Sequence, residues 1–522
     1  MLHCNQEMQP GGDGRLRCDI CGFRPRISGL EKSYARALNQ SNGDHAIAAH
    51  LLGVSLREFT TNVSELKIDL YHRTPSKAKT YLVTSAQQST PVFDKFMDTL
   101  ELYKRENNAE LIVIPFRYQN PTSIFSSTKE RWWARRIVPY LCDTRFDITP
   151  HLTVMSDIKI TPTAHDPLSM MEALSGSKSA LFGHTSLGLK TVPVMSGEMP
   201  KILASTGCVT KRNYTDSKAG KKGEFHHTHS AQVIDVRGDI FHMRQINACA
   251  DGSFIDLEYE YTRDGVYYAD RPWLSLGDLH HFAMSKEATN GTAALIKQVD
   301  PIGLVWHDAL DFYSRNHHHL KKVFINLAKH RAGVDDVRKE LEALFKFLNK
   351  FGAGRQNVFP FSNHPAALAR WIEESDWRHD PRNAEFYLET ALAMVKSTKM
   401  QGHKSYTVDP FAYWGKQYMP DGVFLGPNES FEAYGIDMGN HGHIGANGAR
   451  GGSVKSWAKL SKKTITGHGH GPGISHGAYR NGTLSVFDQE YVAGPSSWLH
   501  TNTLTYANGK RSLINLIGGK YK

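Results

Sequence analysis

Cysteine is scarce, with six in 522 residues. That is too thin for a disulfide framework and points to a reducing compartment. Long apolar runs are missing as well. No stretch of about 18 apolar residues occurs, so no membrane span is expected. The opening residues "MLHCNQEMQPGGDG" lack the apolar core of a secretory signal. A cytoplasmic protein without a membrane partner is therefore expected. Acidic residues are outnumbered, 52 Asp+Glu against 62 Lys+Arg, for a formal net charge of +10. Such a balance favours an anionic partner, nucleic acid first. No internal repeat is visible. The length exceeds one ordinary core, and about two to four domains are expected.

Residues 1–30 carry Cys4, Cys18 and Cys21, the last two as the pair in "RCDICGF". Two cysteines two residues apart before a glycine have the shape of a zinc knuckle. A closed structural zinc site needs four ligands, and the fourth would be His3 or a later residue. Residues 31–70 include "AIAAHLLGVSLREFTTNV". Apolar residues at helical spacing run to Leu52, Gly53 breaks the run, and Ser55 can cap a second helix from Leu56. Helix, glycine turn and helix is the layout of a helix-turn-helix, whose second helix docks DNA. No individual DNA-contacting residue stands out.

Residues 75–265 read as an accessory region, α/β at first and then rich in short strands. A strand over Tyr81–Thr84, a helix over Val92–Lys104 and a buried strand in "AELIVIPFRY" are expected. The basic stretch "CVTKRNYTDSKAGKKGEF" runs directly into His226, His227 and His229. Phosphate contact and a plain solvated loop are both compatible with it. Residues 150–270 either bind DNA or support the C-terminal region.

From 270 to 522 strands and helices alternate, and βαβ units place functional residues at the C-terminal ends of strands. Those ends carry Asp278 and His280, then His307, Asp308 and Asp311, then Asn363 and His364. Further on come His441 and His443 in "NHGH", and His468 and His470 in "TGHGHG". Two divalent ions held by such imidazoles, carboxylates and an amide oxygen can clamp a phosphoryl centre.

In this order, D-x-H, H-D-x-x-D, N-H, H-G and G-H-x-H resemble the calcineurin-like metallophosphoesterase superfamily over roughly residues 270–490. The resemblance implies a two-sheet α/β sandwich flanked by helices, and two divalent ions, Mn first, with Mg, Fe, Ni or Zn as alternatives. It implies that Asp278, His280 and His470 bind one ion and Asn363, His441 and His468 the other, with Asp308 bridging and His364 as the catalytic acid. "NHGH" admits His441 or His443 as the ligand. Two departures stand out. His307 replaces the usual glycine, and Pro365 replaces an acidic residue that normally orients the histidine before it.

The arrangement is also similar to phage-encoded metallophosphoesterases such as the pre-early host-DNA-degrading nucleases of T5-like bacteriophages. That implies a DNase acting in the host cytoplasm through metal-activated water. A phosphatase of proteins or nucleotides, and a non-catalytic DNA-binding regulator, are the alternatives. DNA is the expected partner, and a homo-oligomer is compatible with the sequence.

Overall fold

The computed structural model describes residues 2–3, 6–7, 9–10, 16–17, 33–34, 36–38, 40–41, 45–65, 75–118, 120, 132–319, 321–489 and 494–522. Cys4, Cys18 and Cys21, and with them the zinc knuckle, lie outside the described residues. The fold is mixed α/β. Among the described residues no helix is long and apolar enough to cross a membrane.

The helix pair in the N-terminal region spans His45–Leu52 and Leu56–Glu65. Gly53 turns the chain at φ 67°, a conformation glycine adopts without steric cost. The Ser55 hydroxyl then accepts a hydrogen bond from the Glu58 amide at 3.1 Å and caps the second helix.

The C-terminal half is built on a six-stranded sheet. Its parallel part runs, from the edge inward, Val423–Phe424, Gln356–Phe359, Gly303–Val305 and Trp273–Ser275. The antiparallel hairpin His500–Thr505 and Arg511–Leu516 completes it. Helices Lys286–Val299, Val337–Phe351, Asn363–Glu374 and Pro410–Tyr418 alternate with the strands. Their apolar faces bury Leu295, Leu341, Leu344, Leu368 and Trp414 in one core with Leu274 and Leu304 of the sheet. The expected strands and helices of this region are all present, shorter at the strands because only their central residues are paired.

A repeat that the sequence did not show appears in the connectivity. In the N-terminal half, Thr80–Gln87 pairs in parallel with Glu110–Phe116, with helix Asp94–Glu106 between them. Thr80–Gln87 also pairs antiparallel with Ser230–Arg237, which forms a hairpin with Ile240–Asn247. This is the arrangement of Trp273–Ser275, Gly303–Val305 and the C-terminal hairpin. The second sheet, of ten strands, repeats the relation. One end carries Phe146–Thr149, Leu152–Val154, Ser179–Phe182, Lys201–Ser205 and Gly188–Val192. The other carries Glu432–Ala433, Ile436–Asp437, Thr464–Thr466, Ala478–Arg480 and Gly473–Ser475 in the same order and with the same strand directions. The two ends meet where Gly188–Val192 pairs antiparallel with Gly473–Ser475, with Leu189 opposite Ile474. Two copies of one topology are thus related by an approximate two-fold axis through that pair.

The ten-stranded sheet crosses the boundary drawn between 265 and 270. Backbone pairing between strands so far apart in the chain leaves no trace in composition, so composition alone divides the chain there. The outer layer is also nearly continuous. Ile240–Asn247 and Arg511–Leu516 lie side by side, joined by side chains: the Ser512 hydroxyl donates to the Gln245 carbonyl at 2.9 Å, and the Asn247 amide to the Arg511 carbonyl at 2.9 Å. Val83, Ile114 and Phe241 from one half, Val305, Val358 and Leu513 from the other, and Leu189 and Ile474 share the core between the layers.

Candidate metal centre

The parallel strands of the C-terminal half end on one side, and the loops leaving them converge. Asp278 and His280 follow Trp273–Ser275, and His307, Asp308 and Asp311 follow Gly303–Val305. Asn363 and His364 open helix Asn363–Glu374 after Gln356–Phe359. His441 follows Ile436–Asp437, and His468 and His470 follow Thr464–Thr466. His280, Asp308, His468 and His470 have φ of 43°, 37°, 68° and 50°. Each such non-glycine residue costs on the order of 1–3 kcal/mol and persists only where its surroundings hold it. The Asp308 carbonyl receives the His280 amide at 2.8 Å, and the Asp278 carboxylate the His468 amide at 2.8 Å. The glycine of this last loop has a steric reason: a Cβ at Gly467 would lie 2.2 Å from Oδ1 of Asp278.

Polar atoms face one another at the centre. Nε2 of His280 and Nε2 of His470 are 3.0 Å apart, and Nε2 of His470 lies 3.1 Å from Oδ2 of Asp278. Nε2 of His441 lies 3.0 Å from Oδ2 of Asp308 and 3.1 Å from Oδ1 of Asn363. Oδ1 of Asp278 is buried without a hydrogen-bond partner. Buried polar atoms are ordinarily satisfied, and exceptions call for a reason. A cation is the reason that fits a set of imidazole nitrogens and carboxylate oxygens. Four overlapping trios have ligand atoms within 4.8 Å of one another: Asp278–His280–His470, Asp308–His441–His468, Asp278–His307–His441 and His280–Asp311–His364.

The protonation pattern reflects the same crowding. Burial would raise Asp278 and Asp308, but the surrounding imidazoles together reverse this, His441 and His470 at Asp278 and His441, His364 and His280 at Asp308, and hold both below the usual carboxylate range. Burial opposes charge on His280, yet Asp311, Asp308 and Asp278 push it up to about 9. His441 is likewise raised against burial by Asp308 and Asp278. Burial lowers His468 and His470.

His441, and not His443, stands against Asp308 and Asn363. His443 belongs to none of the trios, and burial followed by the charge of His441 takes it down to about 4. Two residues outside the expected ligand set join the cluster. His307, in the place of the glycine, directs Nε2 to the Ser275 hydroxyl at 3.2 Å and Nδ1 toward Nδ1 of His441 at 3.4 Å. Asp311 answers the loss at Pro365. Its carbonyl accepts Nδ1–H of His364 at 2.8 Å, and its carboxylate lies 3.5 Å from Nδ1 of both His364 and His280. The orienting group is three residues beyond Asp308 in H-D-x-x-D, a spacing visible in the sequence. His364 keeps 18% of its side chain exposed, whereas His280 and His441 are fully buried.

No family model matches the chain, and no solved structure matches it. Over 467 residues it is 31% identical to protein A1 of Escherichia phage T5, covering 85% of this chain and 83% of that protein. At that identity and coverage, the chain belongs to the family of phage T5 protein A1.

Proposed function

We propose that the protein is a dinuclear-metal-dependent phosphodiesterase of the calcineurin-like metallophosphoesterase type, and that its substrate is DNA. One observation carries the reading. The trios Asp278–His280–His470 and Asp308–His441–His468 are adjacent, with His441 4.0 Å from Asp278, so two cation sites share one wall. Asp278, His280 and His470 would hold one ion, and Asn363, His441 and His468 the other. Asp308 would touch both. When bound, such a pair supplies Lewis acidity and a water activated at neutral pH. Mixed nitrogen and oxygen donors suit Mn first, then Mg, Fe, Ni or Zn.

The protein's own part is positioning and proton transfer. Nδ1–H of His364 is committed to the Asp311 carbonyl, which leaves Nε2 as the nitrogen for proton transfer on the most exposed histidine of the trios built around His280. From there a proton on Nε2 would pass to the departing oxygen. The excess of basic residues and the N-terminal helix pair support DNA over a protein substrate. The phage relative supports action in a host cytoplasm.

The test incubates the purified protein with supercoiled, linear duplex and single-stranded DNA under Mn²⁺, Mg²⁺ or EDTA. Cleavage with Mn²⁺ that EDTA stops is expected. Hydrolysis restricted to phosphomonoesters would replace the DNase with a phosphatase. Metal binding without hydrolysis of either class would leave a DNA-binding regulator.

A further inference from the structure

The two-fold relation places the strand ends of the N-terminal half beside the strand beginnings of the C-terminal half. A cleft of about 820 Å³ opens there. Ser186 and Leu187, in the loop that corresponds to the one bearing His470, line it from one side. Lys463 and Gly477, just before strands Thr464–Thr466 and Ala478–Arg480, line it from the other. The metal cluster lies at the far ends of those same strands, so this is a separate site.

Its lining is cationic and has no acid. Lys211, Arg212, Lys462, Lys463, Lys510 and Arg511 contribute, with His226, His227, His229 and His476, and no aspartate or glutamate is among the lining residues. Lys462 pairs with Glu432 outside the cleft at 2.8 Å. Among the described residues no carboxylate forms an ion pair with Lys211, Arg212, Lys463, Lys510 or Arg511. Arg511 is buried, donates to the Thr464 and Gly477 carbonyls at 2.9 and 3.0 Å, and lies 4.0 Å over the Tyr479 ring. A buried guanidinium without a counter-charge is costly unless an anion completes it. The cations also press on one another. Burial lowers Lys463 first, and then Arg511 and Lys510 lower it further.

Aromatic faces border the charges. Phe225 ends helix Lys218–His226 with 82% of its surface exposed, and His226 stacks on His476 at 3.7 Å. From the basic stretch before His226, Lys211, Arg212 and Phe225 line the cleft. A carboxylate-free groove with exposed rings is the combination that holds single-stranded nucleic acid, backbone on the cations and bases on the rings.

We infer that this cleft is a metal-independent exosite for single-stranded nucleic acid, with Lys211, Arg212, Lys463 and Lys510 on the phosphates and Phe225 under a base. The choice of nucleic acid as the polyanion rests on the DNase reading. The experiment is fluorescence anisotropy of a labelled 20-mer of oligo-dT on the full chain in EDTA, across a salt series. Lys463→Ser/Lys510→Ser should weaken binding about tenfold or more and flatten the log–log salt slope by about 1.4, at roughly 0.7 per lost phosphate contact. Phe225→Ala should weaken binding about tenfold with the slope unchanged. Affinity and slope equal to the parent's in both variants would overturn the exosite. If the first variant does not fold, as judged by its melting temperature, Lys211→Ser/Arg212→Ser takes its place with the same expectations. Because EDTA removes the ions, the two readings fail separately. A parent that cleaves no DNA but binds oligo-dT through these residues loses only the nuclease. A parent that cleaves DNA while the variants bind as it does loses only the exosite.

Discussion

At 467 the C-terminal half reads Gly-His-Gly-His, and at 183 the N-terminal half reads Gly-His-Thr-Ser. Both loops leave equivalent strands of the ten-stranded sheet. In the first, His468 and His470 join carboxylates in a metal-competent cluster. In the second, His184 is buried among neutral groups: Nδ1 takes the Ser186 amide at 3.1 Å, and Nε2 faces the Thr161 carbonyl at 3.2 Å. The other strand ends differ in the same sense. Where one half has Asp278 and His280, the other has Ala86 and Gln88, and where one has Asp308, the other has Phe116. Among the described residues, the helices between Val305 and Val423, and with them the Asn363–His364 element, have no counterpart in the N-terminal half. The sandwich therefore does not need its ligands. Strand pairing and the shared core hold both halves, and buried carboxylates are tolerable only where cations answer them.

The sharpest break of that comparison is at the shared wall. Asp308→Asn should reduce DNA hydrolysis by on the order of 10³-fold or more, since a neutral amide cannot hold two cations close together. Metal content should fall below two per chain. Its control in the other half is His184→Gln, which should leave metal content as it is. Full turnover with two bound ions in Asp308→Asn would refute the paired site.

His364→Asn comes next. It should slow DNA cleavage by roughly 10²–10⁴-fold, and an activated nitrophenyl diester much less, because a good leaving group needs no proton. Equal losses on both substrates at full metal occupancy would assign His364 to charge or position instead. Asp311→Asn should cost about 10–100-fold in metal affinity or rate, the usual range for a group that orients ligands. Isothermal titration with Mn²⁺, read beside the rate, checks it, and parental affinity and rate together would remove Asp311 from the site.

Deleting residues 1–70 should weaken duplex binding and reduce its salt slope while a small diester is still cleaved. An unchanged slope would end the docking role of the helix pair.

The smallest effect is on stability in the silent half. Burial takes His184 down to about 4, and its hydrogen bonds only partly offset this. The folded state therefore favours the neutral ring. That contribution is full above the unfolded value near 6.5 and is lost as pH falls from there toward about 4. His184→Gln should flatten the acid limb of stability over this window by on the order of 1–3 kcal/mol. Melting temperature between pH 7 and pH 4, compared with the parent, is the measurement, and parallel curves would contradict the buried neutral state.

Contiguous residues dictate the elements and the chemistry at their ends. Apolar strands closed by Asp278, Asp308 or Asn363, and a loop able to present His468 and His470, are legible in the chain, because a strand end and its loop are local. Even the stand-in for the missing carboxylate, Asp311, was present in the spacing of H-D-x-x-D. Which of His441 and His443 reaches Asp308 was not, since both lie on one short loop and only the packing of distant strands aims them. The duplication was also hidden. Two sheets keep the same pairing with different side chains so long as the buried positions stay apolar and fill the space, and here little more than Gly-His remains in common at the compared loops. The cationic cleft is the furthest from local reading. Lys463 and Lys510 meet through the packing of Arg511 against Thr464, and Lys211 joins them across the junction where Gly188–Val192 pairs antiparallel with Gly473–Ser475. Side-chain chemistry is set by position in the chain, but the field that several charges make together is set by where the fold puts them.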